Sequence, residues 1–523
     1  MSALSKPSDA AGRARRLIAP SVALIAVCVL IAGLWKLESA TRGVSVVQTT
    51  EAGVPMTLYR PLGDTPAPVV VIAHGFAGSQ RMMGAYAVTL ARNGYIAVTF
   101  DFPGHGRNRV PFVADLEDQA ARLGLLQGAL EQAVNFGLTR AGADRRLALV
   151  GHSMAGDVMV RFAEAAQPVA EATVLVSPYL SEDTVTEPLR NLCIVYGALE
   201  PQMLHRQGLT AIAGAAGGRP EAGQTYGSHA DGSARRLALA TGVEHIGVLY
   251  SEAALAETLA WLDRTFDRTG SGFIDRRGAG LALVYIGILA LAWPLSTWLP
   301  RVSDQPQGAG LGWRRLLPVA IAPALITPVV LWRFPTDFLP ILLGDYLALH
   351  FAVYGILTAV AVWLTRRLEP GSGGGRLDAR RLAVATLAAS AYATLGLALP
   401  TDRYVTALLP GWERLPLVLA IFGGTLVYFL ADEWATRGPG AAFGGYWFTK
   451  LLFLVSLLCA VALNLNELFF LIIIVPAMLL LFLVYGLLSG WAYRRTRHPA
   501  VGAVATAAAL ACAVAVTFPV VSG

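Results

Sequence analysis

The sequence predicts two structural classes in one chain: an α/β domain on a mostly parallel sheet, and an all-α polytopic membrane domain. Three observations predict this. Residues 44–270 alternate apolar runs of strand character with helical patterns, the signature of a parallel sheet flanked by helices. Residues 17–35 and almost everything after 278 are strongly apolar, which makes the 523-residue chain 55% hydrophobic and only 15% charged. Its mean hydropathy of +0.54 lies outside globular values. The stretch Arg145–Phe162 then passes from an apolar run, Leu147–Val150, through Gly151-His152-Ser153-Met154-Ala155-Gly156 into an amphipathic segment from Asp157. A serine on such a turn holds a strained backbone that needs small neighbours at i−2 and i+2. Ala155 stands where the second glycine of G-x-S-x-G is usual, and it is small enough to serve.

Taken in order, residues 1–16 form a polar N-terminus with Arg13, Arg15 and Arg16 directly before the apolar run Leu17–Trp35. That run can span a bilayer as a helix. A cleaved signal peptide is the competing reading, with Glu38-Ser39-Ala40 as a poor cleavage site, but the run is long for a signal and an uncleaved anchor (17–35) is favoured. Either way the arginines keep the N-terminus cytoplasmic and send residues 44–270 outside. Within that domain Val69–Ala73 runs into His74-Gly75-Phe76-Ala77-Gly78, and Tyr95–Phe100 into Asp101-Phe102-Pro103-Gly104-His105-Gly106. A helix is predicted over 115–136, and buried strands at Ala172–Val176 and Leu192–Tyr196. A weak last strand, Leu237–Ala240, precedes a closing helix, Ala253–Phe266. Residues 207–234 are rich in Gly and Ala without a period and read as a loop bordering the site.

Three motifs, His74-Gly75-Phe76, the Asp101–Gly106 turn and the Ser153 elbow, each follow an apolar strand. In that order and placement, residues from Val46 to about Phe266 resemble the α/β-hydrolase fold family. The resemblance implies a serine hydrolase of esterase, lipase or peptidase-like chemistry without choosing among them. A serine hydroxyl becomes a nucleophile when a base takes its proton and a carboxylate orients that base. Chain order in this fold is serine, acid, histidine. Ser153 is the candidate nucleophile. Glu200 ends Gly197-Ala198-Leu199-Glu200, where the family carries its acid (more commonly Asp), and Asp183 is the fallback. His245, in the loop before the closing helix, stands where the family places its base. His229 competes with it; His152 points away from the hydroxyl by turn geometry, and His74 and His105 belong to family loops where histidine is structural. Backbone N–H groups of Phe76 and Met154 occupy the two positions expected for an oxyanion hole. Many relatives insert a lid between the strands ending here at Val176 and beginning at Leu192. The short stretch in this chain predicts an open site. No cofactor is expected: metal-ligand spacing, a phosphate loop and a dinucleotide fingerprint are all missing from the sequence.

The membrane domain (278–520) reads as about eight spans, near 279–299, 316–332, 339–364, 382–399, 415–431, 447–463, 467–489 and 499–519. Arg366, Arg367, Arg376, Arg380 and Arg381 share one loop, and Arg494, Arg495 and Arg497 another. Four spans separate the clusters, so both face the cytoplasm together, in agreement with a count from a cytoplasmic N-terminus. The formal charge of +6 is thereby assigned to topology, and nucleic acid is not an expected partner. Four cysteines (Cys28, Cys193, Cys459 and Cys512) give no disulfide framework. Arginine preferred over lysine, with abundant Ala and Gly, points to a bacterial inner-membrane protein whose α/β domain is periplasmic. The expected partners are a small-molecule or lipid acyl substrate and membrane lipids; oligomeric state is not legible. Asp345 and His350 are ionisable at membrane depth, where such groups are functional candidates. The sequence therefore also carries a second reading, a transporter or lipid-handling protein with an accessory hydrolase-like domain, and a third, an inactive scaffold.

Overall fold

The computed structural model describes residues 9–63, 65–113, 118–181, 183–367 and 376–522. Two compact units result. One comprises Ala32–Ala282 with two later segments, Thr401–Ala407 and the residues from Pro519 on; the other holds the residues up to Ile31, Leu283–Pro400 and Leu408–Phe518.

Helix α1 (Asp9–Ser39) leads into the hairpin β1 (Val44–Glu51) and β2 (Val54–Pro61). There follow β3 (Ala67–Ala73), α2 (Gly84–Arg92), β4 (Ile96–Phe100), α3 (Gln119–Leu138), β5 (Ala143–His152), α4 (Ala155–Ala165), β6 (Ala170–Val176) and β7 (Leu192–Gly197). The domain closes with α5 (Gln202–Ala216), β8 (Thr225–Tyr226), β9 (Arg235–Ala240) and α6 (Glu252–Phe266). Strand order in the sheet is β1-β2-β4-β3-β5-β6-β7-β9-β8. From β4 to β9 the pairs are parallel, and antiparallel strands cover both edges.

The central strands are continuous apolar runs because both faces are buried. Val69, Val71 and Ala73 face one core with α3 and α4, while Val70 and Ile72 face the other with α2 and α6. This alternation is the period of two expected of a strand. Because β3, β5, β6 and β7 run parallel, the residues that follow them gather at one edge of the sheet.

Two expectations are corrected. The 207–234 stretch is not loop throughout: α5 runs to Ala216, ending on Gly217 in the left-handed conformation, and β8 follows. Ile212 and Gly208 are buried on α5, so a short apolar face escaped notice among the small residues. The predicted 115–136 helix begins at Gln119, capped by the Asp118 carboxylate accepting from Ala121 N; residues 114–117 lie outside the described residues. The β1–β2 hairpin was not anticipated as a separate element.

The later segments complete the α/β unit. Val520 accepts from Phe112 N at 2.8 Å, and its own N–H donates to Gly104 O at 3.0 Å. Gly104 has φ +73°, and a Cβ there would lie 2.6 Å from Val520 O. Asp402 takes two hydrogen bonds from Arg107 Nη2, at 2.9 and 3.0 Å. Ser79 Oγ accepts from Ala407 N at 2.9 Å. These contacts hold the loops after β3 and β4.

The second unit is helical: α7 (Arg277–Ser296), whose first turns belong to the α/β unit, then α8 (Trp313–Leu331), α9 (Gly344–Arg367), α10 (Ala379–Tyr404), α11 (Leu415–Thr436), α12 (Gly445–Leu463), one turn α13 (Leu465–Leu468), α14 (Leu471–Thr496) and α15 (Pro499–Thr517). Among the described residues nine helices are long and apolar enough to cross a membrane, one of them Ile18–Ser39. Each of the other eight overlaps one of the eight spans read from sequence. Asp345 lies in the first turn of α9, its carboxylate accepting from Tyr346 N. His350 is buried between Tyr346 OH and Ser456 Oγ, 3.4 and 3.2 Å away. Sequence reading missed a larger buried set: Lys450 pairs with Asp432, and Arg437 with Glu433. Asp432 and Glu433 fall just past the apolar run of α11, while Lys450 lies inside a predicted span and was overlooked.

Candidate functional site

Ser153 sits between β5 and α4 with φ +54°, a conformation that costs an L-residue roughly 1–3 kcal/mol. The turn is held from three sides. Ser153 N donates to Val176 O at 3.0 Å, and its carbonyl accepts from Gly156 N at 2.8 Å and Tyr179 N at 3.1 Å. Packing explains the small residues: a Cβ on Gly151 would lie 2.8 Å from Met159 Cγ, and one on Gly156 2.6 Å from Pro178 Cβ. Ala155 is wholly buried, so its methyl fits where glycine is usual.

The edge of the sheet brings the three sequence-predicted side chains together. Ser153 Oγ lies 3.0 Å from His245 Nε2, and His245 Nδ1 lies 3.1 Å from Glu200 Oε2. A carboxylate only accepts, so Nδ1 carries the proton and Nε2 offers its lone pair to the serine hydroxyl. The imidazole of His245 is partly exposed, while the Glu200 carboxylate is almost completely covered. Burial acts to raise the Glu200 carboxyl, but hydrogen bonds from His245, Ser177 Oγ and Gly197 N hold it below the ordinary carboxylate range. Glu244 fixes the His245 loop, accepting from Ile246 N and Gly247 N at 2.8 Å each.

Ser177 was missed by sequence reading. It follows β6 with φ +45° and is fully buried, and its hydroxyl donates to Glu200. Its only signal was a polar residue directly after an apolar strand, before Pro178.

The alternatives read from sequence lie elsewhere. Asp183 pairs with Arg161 at 2.8 Å. His229 meets Trp261 edge to face, with Nδ1 3.0 Å from Thr265 Oγ1. His74 is buried: its Nδ1–H donates to Gly75 O at 2.7 Å and its Nε2 accepts from Phe102 N at 3.1 Å, which pins the loop after β3. His152 donates from Nε2 to His245 O at 3.0 Å, away from the serine hydroxyl. Burial, aided by repulsion from His245, depresses His152 to about 3.

The sign of that shift sets a pH dependence. The folded pKa is below the unfolded one, so between the two values the unfolded chain takes up the extra proton and stability falls with pH. The α/β unit is therefore expected to lose stability as pH drops from the free-imidazole value of 6.5 towards 3. Tryptophan-fluorescence unfolding at stepped pH checks this; His152→Gln should flatten the slope, and an unchanged slope would assign it to other groups.

The strand order, the crossovers and the serine turn together fix the fold, and residues 64–213 match the family model described as serine aminopeptidase, S33. The domain has the α/β-hydrolase fold. This hydrolase domain is also similar to solved structures. A CIB-like hydrolase from Thermoplasma acidophilum shares 15% identity, covering 42% of this chain and 99% of its own, with TM-score 0.33. A dienelactone hydrolase from Anabaena variabilis shares 14%, covering 43% and 98%, with TM-score 0.31. No curated protein matches the chain.

Proposed function

We propose that this chain is a membrane-anchored serine hydrolase that cleaves an ester, thioester or amide bond through an acyl-enzyme. The observation that carries this reading is the unbroken relay from Ser153 through His245 to Glu200, at 3.0 and 3.1 Å. His245 removes the serine proton as Oγ attacks the carbonyl, then returns it to the leaving group. Glu200 holds the tautomer and stabilises the imidazolium. Met154 caps α4, so its N–H belongs to the donors at the helix N-terminus. Gly75 passes so close that a Cβ would lie 2.8 Å from Ser153 Cβ, which brings the following amide, Phe76, to the same carbonyl. Those two N–H groups receive the oxyanion. The match to a serine aminopeptidase model supports acyl transfer.

The hydrolase domain faces the periplasm and the helical unit spans the inner membrane. Counting spans from a cytoplasmic N-terminus puts the loop around residue 405 and the residues after 519 on the domain's side. Membership of Thr401–Ala407 and Pro519 onward in the α/β unit supports that count independently.

A fluorophosphonate probe on detergent-solubilised full-length protein tests the chemistry. Wild type should label, while Ser153→Ala and His245→Ala should not. A folded wild type that stays unlabelled would overturn the assignment.

A further inference from the structure

The helical unit contains a cavity of about 320 Å³ between the ends of α7 and α10 and the helices α14 and α15, within the ~300–1,000 Å³ range of small-molecule sites. Ala388, Ala389, Leu488 and Ala505 give it an apolar wall. Three of its polar side chains are already used: Ser296 Oγ donates to Trp293 O, Tyr392 OH to Ile288 O at 2.6 Å, and Ser489 Oγ to Glu433. What enters the cavity must therefore be mainly apolar. Ala388 is exposed on α10 and Trp298 is 81% exposed beside Leu299, so the cavity opens at the surface of the unit.

Positive charge is carried by the segments that adjoin this opening. The backbone brings three chain segments together there: Val302 N donates to Thr496 O at 3.0 Å, Asp378 N donates to Val302 O at 3.1 Å, and Ser303 pairs with Leu377. Arg301, Arg380 and Arg494 on these segments are all exposed. Arg495 Nε donates to the carbonyl of Leu299, itself a wall residue, at 2.8 Å. An apolar slot lined by an exposed tryptophan, on segments that carry four arginines, matches a lipid with an anionic headgroup at a membrane interface.

We infer that this cavity holds an acyl chain of an anionic phospholipid from the cytoplasmic leaflet, with its phosphate among Arg301, Arg380, Arg494 and Arg495. The inference rests on the membrane reading of the helical unit and is independent of the serine chemistry. The site binds a lipid as a ligand; it is separate from the Ser153 site in the other unit.

The test uses full-length protein delipidated in a mild detergent, with melting followed as lipid is added back. Dioleoyl phosphatidylglycerol should raise the melting temperature by several degrees, dioleoyl phosphatidylcholine should raise it much less, and glycerol phosphate should not change it. Ala388→Phe fills the mouth from an exposed position and should abolish the phosphatidylglycerol shift. Arg301→Gln/Arg380→Gln/Arg494→Gln, which leaves the Arg495 bond intact, should reduce that shift to the phosphatidylcholine level. Fluorophosphonate labelling of both variants at the wild-type rate would show that they are folded, and loss of labelling in all proteins would count against the serine assignment alone. Equal stabilisation of wild type by the two lipids, or an unaltered shift in Ala388→Phe, would overturn the inference.

Discussion

Glu200→Gln is expected to lower kcat by about 10⁴-fold while leaving the domain folded. The carboxylate makes three bonds: it accepts from Ser177 Oγ and Gly197 N, and takes the Nδ1–H of His245. The amide keeps the size of the group but loses its charge. One of its two polar atoms also becomes a donor that can face His245 and favour the tautomer with Nε2 protonated, which cannot accept from Ser153. Steady-state kinetics on a chromogenic acyl ester, paired with a melting curve, separate this from unfolding. Asp183→Asn is the control and should change kcat little, because Asp183 pairs with Arg161 at the surface. A Glu200→Gln enzyme within tenfold of wild type would remove Glu200 from the relay.

Gly75→Ala has the second largest expected effect, a fall of about 10²–10³-fold in kcat with KM little changed. The new Cβ would lie 2.8 Å from Ser153 Cβ and 2.9 Å from His152 Nδ1, closer than real Cβ contacts come. His152 is locked by its bond to His245 O and the serine by its turn, so the loop after β3 must retreat and take the Phe76 amide with it. The loss should appear equally in the rate of fluorophosphonate labelling, since the phosphonyl oxygen occupies the same hole. An unchanged labelling rate would place the oxyanion donors elsewhere.

The candidate site was legible because the residues that would carry its chemistry are marked by local sequence. The elbow needs small residues at fixed offsets, and the candidate acid and base each follow a recognisable strand. Ser177 was illegible because its role arises only when β6 and β7 lie side by side in register, Val176 opposite Val195. The eight long apolar helices after residue 276 were legible from length and hydropathy alone. The Lys450–Asp432 pair was not, because a charge inside an apolar run declares its partner only once α11 and α12 pack. Helix α5 failed for a different reason: its buried face is small, and glycine-rich composition outweighed period.

The hydrolase fold is completed late in synthesis. The Gly104–Phe112 turn is bonded to Val520, and Arg107 to Asp402. A ribosome delivers Asp402 only in the last turn of α10 and Val520 only after α15, by which point every described helix of the other unit has been made. A chain that stalls part-way thus leaves the loops after β3 and β4 unfastened, so completion of the α/β unit reports on synthesis of the whole helical unit.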